Sequence, residues 1–102
     1  MTEQAALLDV VSSPRRREIL RLVWDAERSS GEIAAHFPAS WPSISRSLRE
    51  LREAGVVRER RAGQQRFYRA EREALRPLEA FLTGLWETGL DRMAEQIDKE
   101  RQ

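Results

Sequence analysis

The chain has 102 residues, enough for one domain with its own core. It has no Cys and a single His, which excludes disulfides, thiol chemistry and an all-protein zinc site with the usual number of ligands. The net charge of +1 is unevenly spread: residues 44–76 carry ten Arg against five Glu, a local +5, while residues 1–43 sum to −1 and residues 77–102 to −3.

Seventeen of the 18 basic residues are Arg, whose planar fork suits phosphates and guanine edges. A GC-rich genome would favour Arg codons, but it would not cluster them. The opening MTEQAALLDV lacks the basic and apolar regions of a secretion signal. No stretch is long and apolar enough for a membrane-spanning helix. A cytoplasmic protein is expected.

Residues 3–11, EQAALLDVV, predict a short helix whose Leu7, Leu8, Val10 and Val11 need a partner surface. Ser13 as N-cap and Pro14 at the first helical position predict a second helix over residues 14–25. Its apolar stripe is Ile19, Leu20, Leu22 and Val23, with Trp24 alongside. Arg15, Arg16 and Arg17 crowd the start of this helix, the end that disfavours cations. Phosphate contact by Arg15 and Arg16 is one reading; a solvated polar face is the other.

Residues 26–28 are a link. Ser29 and Glu32 then form a capping-box pattern for a helix over residues 30–37, with Ile33, Ala34 and Phe37 inward, ended by Pro38. Ser40 caps a fourth helix, Pro42 falls in its first turn, and Gly55 supplies the left-handed C-terminal position after Ala54. Ile44, Leu48 and Leu51 mark its buried face. Ser43, Arg46, Ser47 and Glu50 are expected on the other side, with Trp41 and Pro42 at the exposed start. Trp41 either stays exposed there or packs back onto the third helix.

Val56–Arg60 and Arg66–Arg69 predict two strands joined by a turn over Ala62, Gly63, Gln64 and Gln65, with Gly63 at positive φ. Arg58, Arg60, Arg61, Arg66 and Arg69 decorate this hairpin. A last helix is predicted from residues 71–74 to about residue 99, with an apolar stripe of Leu75, Leu78, Leu82, Leu85, Met93 and Ile97 widened by Phe81, Trp86 and Leu90. Gly84 and Gly89 interrupt it. Glu87, Asp91, Glu95 and Asp98 are expected to keep its outer side acidic. The stripe exceeds what one small core covers, so residues 1–12 and 72–99 are expected to form a dimer interface through Leu7, Leu8, Val11, Leu78, Leu82, Leu85, Trp86, Met93 and Ile97.

The expected fold is therefore mainly α with a small β-hairpin wing, in the order α-α-α-α-β-β-α, one domain over residues 1–102. Two capped helices followed by a basic hairpin form a DNA-reading unit. The fourth helix would enter the major groove, with Arg46 and Arg49 reaching base edges. Arg58, Arg61, Gln64, Gln65 and Arg66 of the wing would contact the backbone or the adjacent minor groove.

The segments PRRREILRLV, GEIAAHF, SISRSLRELREAGVVRERRAGQQRFYR and EALRPLEAFL resemble the ArsR-type winged helix-turn-helix transcriptional repressors, from about residue 14 through residue 82. The resemblance implies a homodimeric, sequence-specific repressor on a two-fold, pseudo-palindromic operator in double-stranded DNA. It implies Ser43, Ser45, Arg46 and Ser47 as base readers, with Ser40, Trp41 and Pro42 at the entrance of the reading helix. Two positions depart from the family pattern: Ser47 stands where many members have His, and Trp41 where smaller polar residues are usual. The paired cysteines of metal-sensing members are missing from EIAAHF, and no His accompanies Glu87, Asp91 and Glu95. A non-metal-sensing member, with no metal and no cofactor, is expected.

Three accounts of regulation stay open: a small organic effector in a cavity near Trp24, Phe81 and Trp86; a protein partner or the expression level; or unregulated repression. The alternative function is a protein-interaction winged-helix module with little DNA specificity. An enzyme is not expected, because His36 is the only candidate His base for Ser43, Ser45 or Ser47 and no oxyanion or metal arrangement is readable.

Overall fold

In the computed structural model, residues 3–93 are described. Helix α1, Glu3–Val10, leads into α2, Pro14–Leu22. Ser13 caps α2 as its sequence demands: its side chain accepts from the Arg16 N–H at 3.2 Å, and Pro14 occupies the first turn. The helix ends at Leu22, three residues short of the expected boundary, and Trp24 sits buried in the turn that follows.

The residues read as a link contain a short strand, β1, Arg28–Ser29. It pairs antiparallel with the wing, Arg28 opposite Tyr68 and Ser29 opposite Phe67. Ser29 is also the N-cap of α3, Ser30–Ala34, and the capping box with Glu32 forms in both directions. One residue thus ends a strand and starts a helix, which ties the wing to the helical core.

Helix α4, Trp41–Glu53, buries Ile44, Leu48 and Leu51. Its end is a full Schellman motif: Val56 N–H donates to Leu51 C=O at 3.2 Å and Gly55 N–H to Arg52 C=O at 3.0 Å, with Gly55 at φ +77°. Leu51 and Val56 both reach zero exposure, so the turn that reverses the chain is also part of the core. Strands β2, Val57–Ala62, and β3, Gln65–Ala70, complete a sheet of order β1-β3-β2. In their turn only Gly63 has positive φ, at +62°, as in a type II′ hairpin. Val57 and Ala70 are paired and buried, so the base of the hairpin lies on the core while its tip projects.

The predicted single terminal helix is broken twice. A turn and a 3-10 segment, Arg76–Leu78, precede α5, Glu79–Thr88. Pro77 lacks the N–H that a continuous helix would need. Gly89 then takes φ +72° and ends α5 before helical backbone resumes at Leu90. The expectations placed on Glu95, Ile97 and Asp98 fall outside the described residues. Asp91 corrects the expected acidic outer side: after Gly89 it is buried, and its carboxylate accepts from Arg17 Nε at 2.9 Å and Nη2 at 3.0 Å.

The core collects Ile19, Leu20, Val23, Ile33, Ile44, Leu48, Leu51, Val56, Leu75 and Leu82, all under 2% exposed bar Leu48 at 2%. Three residues assigned to a dimer interface, Leu7, Val11 and Leu82, belong to this core. The short helices cannot cover their own apolar sides, so they close within the protomer: the end of α1 is held by Arg16 of α2 and lies beside Ala54 and Ala74, and Trp86 of α5 packs on Trp24. Leu78, Leu85 and Trp86 are half-buried, and Leu8 and Met93 stay exposed. Trp24 and Trp86, expected to line an effector cavity, meet each other edge to face at 5.0 Å, while Phe81 remains exposed.

Candidate nucleic-acid interface

Helix α4 turns a polar face outward from its first residue. Trp41 and Pro42 are exposed, Ser43 and Ser45 half-buried, and Arg46 exposed with no ion pair among the described residues. The Ser40 hydroxyl does not cap the helix; it bonds the Ser43 hydroxyl at 3.2 Å, so the first-turn N–H groups stay uncapped by it. Free helix N–H groups carry partial positive charge and favour an anion. Arg49 lies further along, 3.6 Å from Glu53 with both side chains solvated.

Ser47 does not share this face. At 8% exposure it lies with Ile44 and Leu51, three and four residues away on the same stripe, and it is a core residue rather than a base reader.

The wing has two unlike faces. Cross-strand partners share a face, which puts Val57, Glu59 and Arg61 with Ala70, Tyr68 and Arg66. This face looks toward α4, and Glu59 is its centre. The Tyr68 hydroxyl donates to its carboxylate at 3.0 Å and Arg52 of α4 at 3.2 Å, with Arg61 at 3.9 Å and Arg66 at 4.0 Å. Burial opposes the Glu59 charge, but the Tyr68 hydrogen bond and the charges of Arg52 and Arg66 outweigh it and hold the carboxyl below its usual range. Burial, with help from Glu59, pushes the Tyr68 phenol up. One carboxylate thereby offsets the repulsion of Arg61 and Arg66, which stand directly opposite each other.

The other face carries Arg58, Arg60, Phe67 and Arg69. Arg58 meets Glu71 at 2.7 Å; Arg60 is held bidentately by Glu27 at 2.6 and 3.0 Å and lies over the Phe67 ring. The predicted backbone contact Arg58 is therefore neutralised on the face away from α4. Gln64 and Gln65 are exposed at the tip, where they were expected.

The arginines at the start of α2 have another task. Arg16 donates to Val10 C=O at 2.7 Å and Asp9 C=O at 2.9 Å and approaches Glu50 of α4 at 3.4 Å. Arg17 donates to Val11 C=O at 2.6 Å besides gripping Asp91. These carbonyls end α1, the helix end that attracts cations. Arg16 is thus an internal clamp, and the phosphate contact assigned to it is withdrawn. Arg15 is half-buried, its guanidinium 5.9 Å from the Phe37 ring centre.

Sequence reasoning missed β1, Glu59 and the Arg17–Asp91 pair. Two residues are too few for a periodic strand signal. Glu59 was findable, because alternation from Val57 puts it on the inner face. Among the described residues no cluster of His, Cys, Asp or Glu could hold a metal, and no helix is long and apolar enough to cross a membrane.

Residues 13–59 match the model of the bacterial regulatory protein arsR family. The biofilm growth-associated repressor of Agrobacterium fabrum is 41% identical over 80 residues, 78% of this chain and 68% of that protein. The chain belongs to the arsR family of bacterial regulatory proteins. It is also 43% identical to the transcriptional repressor SdpR of Bacillus subtilis over 58 residues, 57% of this chain, and that match spans 64% of SdpR. The homodimeric winged helix-turn-helix DNA-binding domain of Mb0332 from Mycobacterium bovis superposes with a TM-score of 0.70 at 27% identity, covering 83% of this chain and 79% of that one. The family is one of transcriptional regulators, not enzymes.

Proposed function

We propose that the chain is a sequence-specific transcriptional repressor acting in the cytoplasm, bound as a homodimer to a pseudo-palindromic operator. The observation that carries this is the polar start of α4 beside the inner face of the wing, with Arg46 of α4 exposed and in no ion pair among the described residues and three arginines sharing the single charge of Glu59. In this reading Ser43, Ser45, Arg46 and Arg49 face base edges and Ser40, Trp41 and Pro42 line the entrance. Arg61, Gln64, Gln65 and Arg66 hold the backbone, and Arg15 extends that contact.

The dimer is proposed to form through α1 and the segment from α5 onward. Leu8, Phe81, Leu90 and Met93 are the exposed apolar side chains there, and Leu7, Leu8, Pro77 and Leu78 line a groove of about 170 Å³ beside them. The homodimeric state of Mb0332 supports this. Two reading helices would then sit about 34 Å apart, one turn of DNA, or a multiple of it.

Selection of bound duplexes from a random library, followed by titration at several salt concentrations, tests the reading. A recovered palindromic motif, bound far more tightly than random duplex and with affinity falling steeply with salt, is expected. Equal affinity for selected and random duplex refutes it and favours the protein-interaction module. Light scattering tests the dimer separately; a monomer at micromolar concentration refutes that part.

A further inference from the structure

Among the described residues the large exposed apolar side chains are Leu8, Trp41, Phe81, Leu90 and Met93. Four lie on α1 or from α5 onward, on the surface proposed for the second copy. Trp41 does not. It occupies the first position of α4 at 51% exposure. It walls a groove of about 180 Å³ with Ser45 of α4, Ser30 of α3, and Gln64, Arg66 and Tyr68 of the hairpin.

The surroundings say what would cover the indole. Hydroxyls, an amide and a guanidinium flank it beside the apolar Leu48, and Arg46 stands exposed five residues further along the helix, in no ion pair among the described residues. Such a rim suits a polyanion. A protein partner that packs an apolar surface on Trp41 would instead have to desolvate these polar groups. The first turn of a reading helix lies closest to the base edges. In the major groove, the apolar group presented by those edges is the 5-methyl of thymine.

We infer that Trp41 packs its indole on the 5-methyl group of a thymine in the major groove, which makes it a specificity-determining residue. This rests on the repressor reading above. Indole faces have no directional demand, so the contact selects for the methyl rather than for a hydrogen-bond pattern. Arg66 and Gln64, across the groove, are placed to hold the adjoining phosphate.

The test uses the best duplex recovered by selection. Each thymine is replaced in turn by deoxyuridine in both half-sites, which removes the methyl and leaves base pairing intact. Affinities are measured at one salt concentration for the unaltered chain, Trp41→Ala and Trp41→Phe. Burial of one methyl predicts that one position loses about fourfold per half-site, or roughly fifteenfold for both. With Trp41→Ala that sensitivity should vanish, and with Trp41→Phe part of it should return. If no thymine is sensitive, or the loss is the same in Trp41→Ala, the inference fails. Trp24 is buried and Trp86 half-buried, so iodide quenching of the unaltered chain chiefly reads Trp41. Bound DNA should shield it, and unchanged quenching would overturn the contact without recourse to a variant. Failure of the unaltered chain to bind any selected duplex refutes the repressor reading itself, and it is seen before a substituted duplex is made.

Discussion

Removal of Asp91 should unfold the chain far more easily than its place near the end of the described residues suggests. Its side chain is 8% exposed and that of Arg17 is 15% exposed. The two share a bidentate pair at 2.9 and 3.0 Å, the strongest geometry open to them. Among the described residues, Asp91→Ala leaves a guanidinium in that site with Val11 C=O as its remaining hydrogen-bond partner. Breaking a buried pair by removing one partner costs roughly 3–5 kcal/mol. The retained carbonyl bond argues for the lower end, about 3 kcal/mol. With a urea slope near 1.5 kcal/mol per molar, the midpoint should fall by about 2 M. Circular dichroism in urea at fixed protein concentration measures it, since the proposed dimer would make stability concentration-dependent. The double variant Arg17→Met, Asp91→Leu should recover much of the loss, because it removes both charges. A loss below about 1 kcal/mol for Asp91→Ala would mean the pair behaves as a surface ion pair. A double variant as unstable as the two single losses added together would deny the coupling.

Arg46→Ala should weaken binding to the selected duplex by about 1–3 kcal/mol and relax preference at one base pair, whereas Ser47→Ala, being in the core, should leave sequence preference unchanged; a selection experiment on each variant decides it. The Glu59 carboxyl is held below its usual value, so its contribution to stability is present above the ordinary glutamate range near pH 4.5 and is lost as pH falls through the depressed value. Glu59→Gln should therefore flatten the acid limb of stability against pH, seen as a smaller drop in urea midpoint between neutral and acid buffer; an unchanged limb would contradict the assignment. Gly89→Ala should destabilise by about 1 kcal/mol or more, because an L side chain is strained at φ +72°, and the added Cβ meets only the mobile end of Arg92 at 3.1 Å. Equal melting temperatures would refute that.

Where the sequence carried a local chemical signal, the fold was legible. Ser13 and Pro14, Ser29 and Glu32, and Gly55 each stand at the boundary their chemistry demands, since capping depends on residues a few positions apart. The spacing of Ile44, Leu48 and Leu51 fixed the buried side of α4, and Gly63 fixed the hairpin turn. Ser47 was misread because burial of a small hydroxyl leaves no trace in a hydrophobic pattern. The terminal helix was overextended because apolar spacing alone outweighed Pro77 and Gly89. Leu7, Val11 and Leu82, expected at a partner, lie buried in the protomer core for a different reason. Periodicity says that a face is covered, not which surface covers it.

The same limit governs the charges. The local excess of arginine pointed to nucleic acid as a sum, but a sum does not say which cations are free. Arg16 and Arg17 end α1; Arg58 and Arg60 are held by Glu71 and Glu27 on the far side of the wing. On α4 and beside it stand Arg46, Arg49 with its solvated partner Glu53, and Arg52, Arg61 and Arg66 grouped on Glu59. That carboxylate lowers the net positive charge, yet it fixes the wing against α4 through Arg52 and Tyr68. The arrangement trades some non-specific attraction for a defined angle between helix and hairpin. In the repressor reading proposed above that trade favours discrimination, because long-range attraction to phosphate is the same for every duplex, while a fixed angle would decide which base edges Arg46 and Trp41 reach.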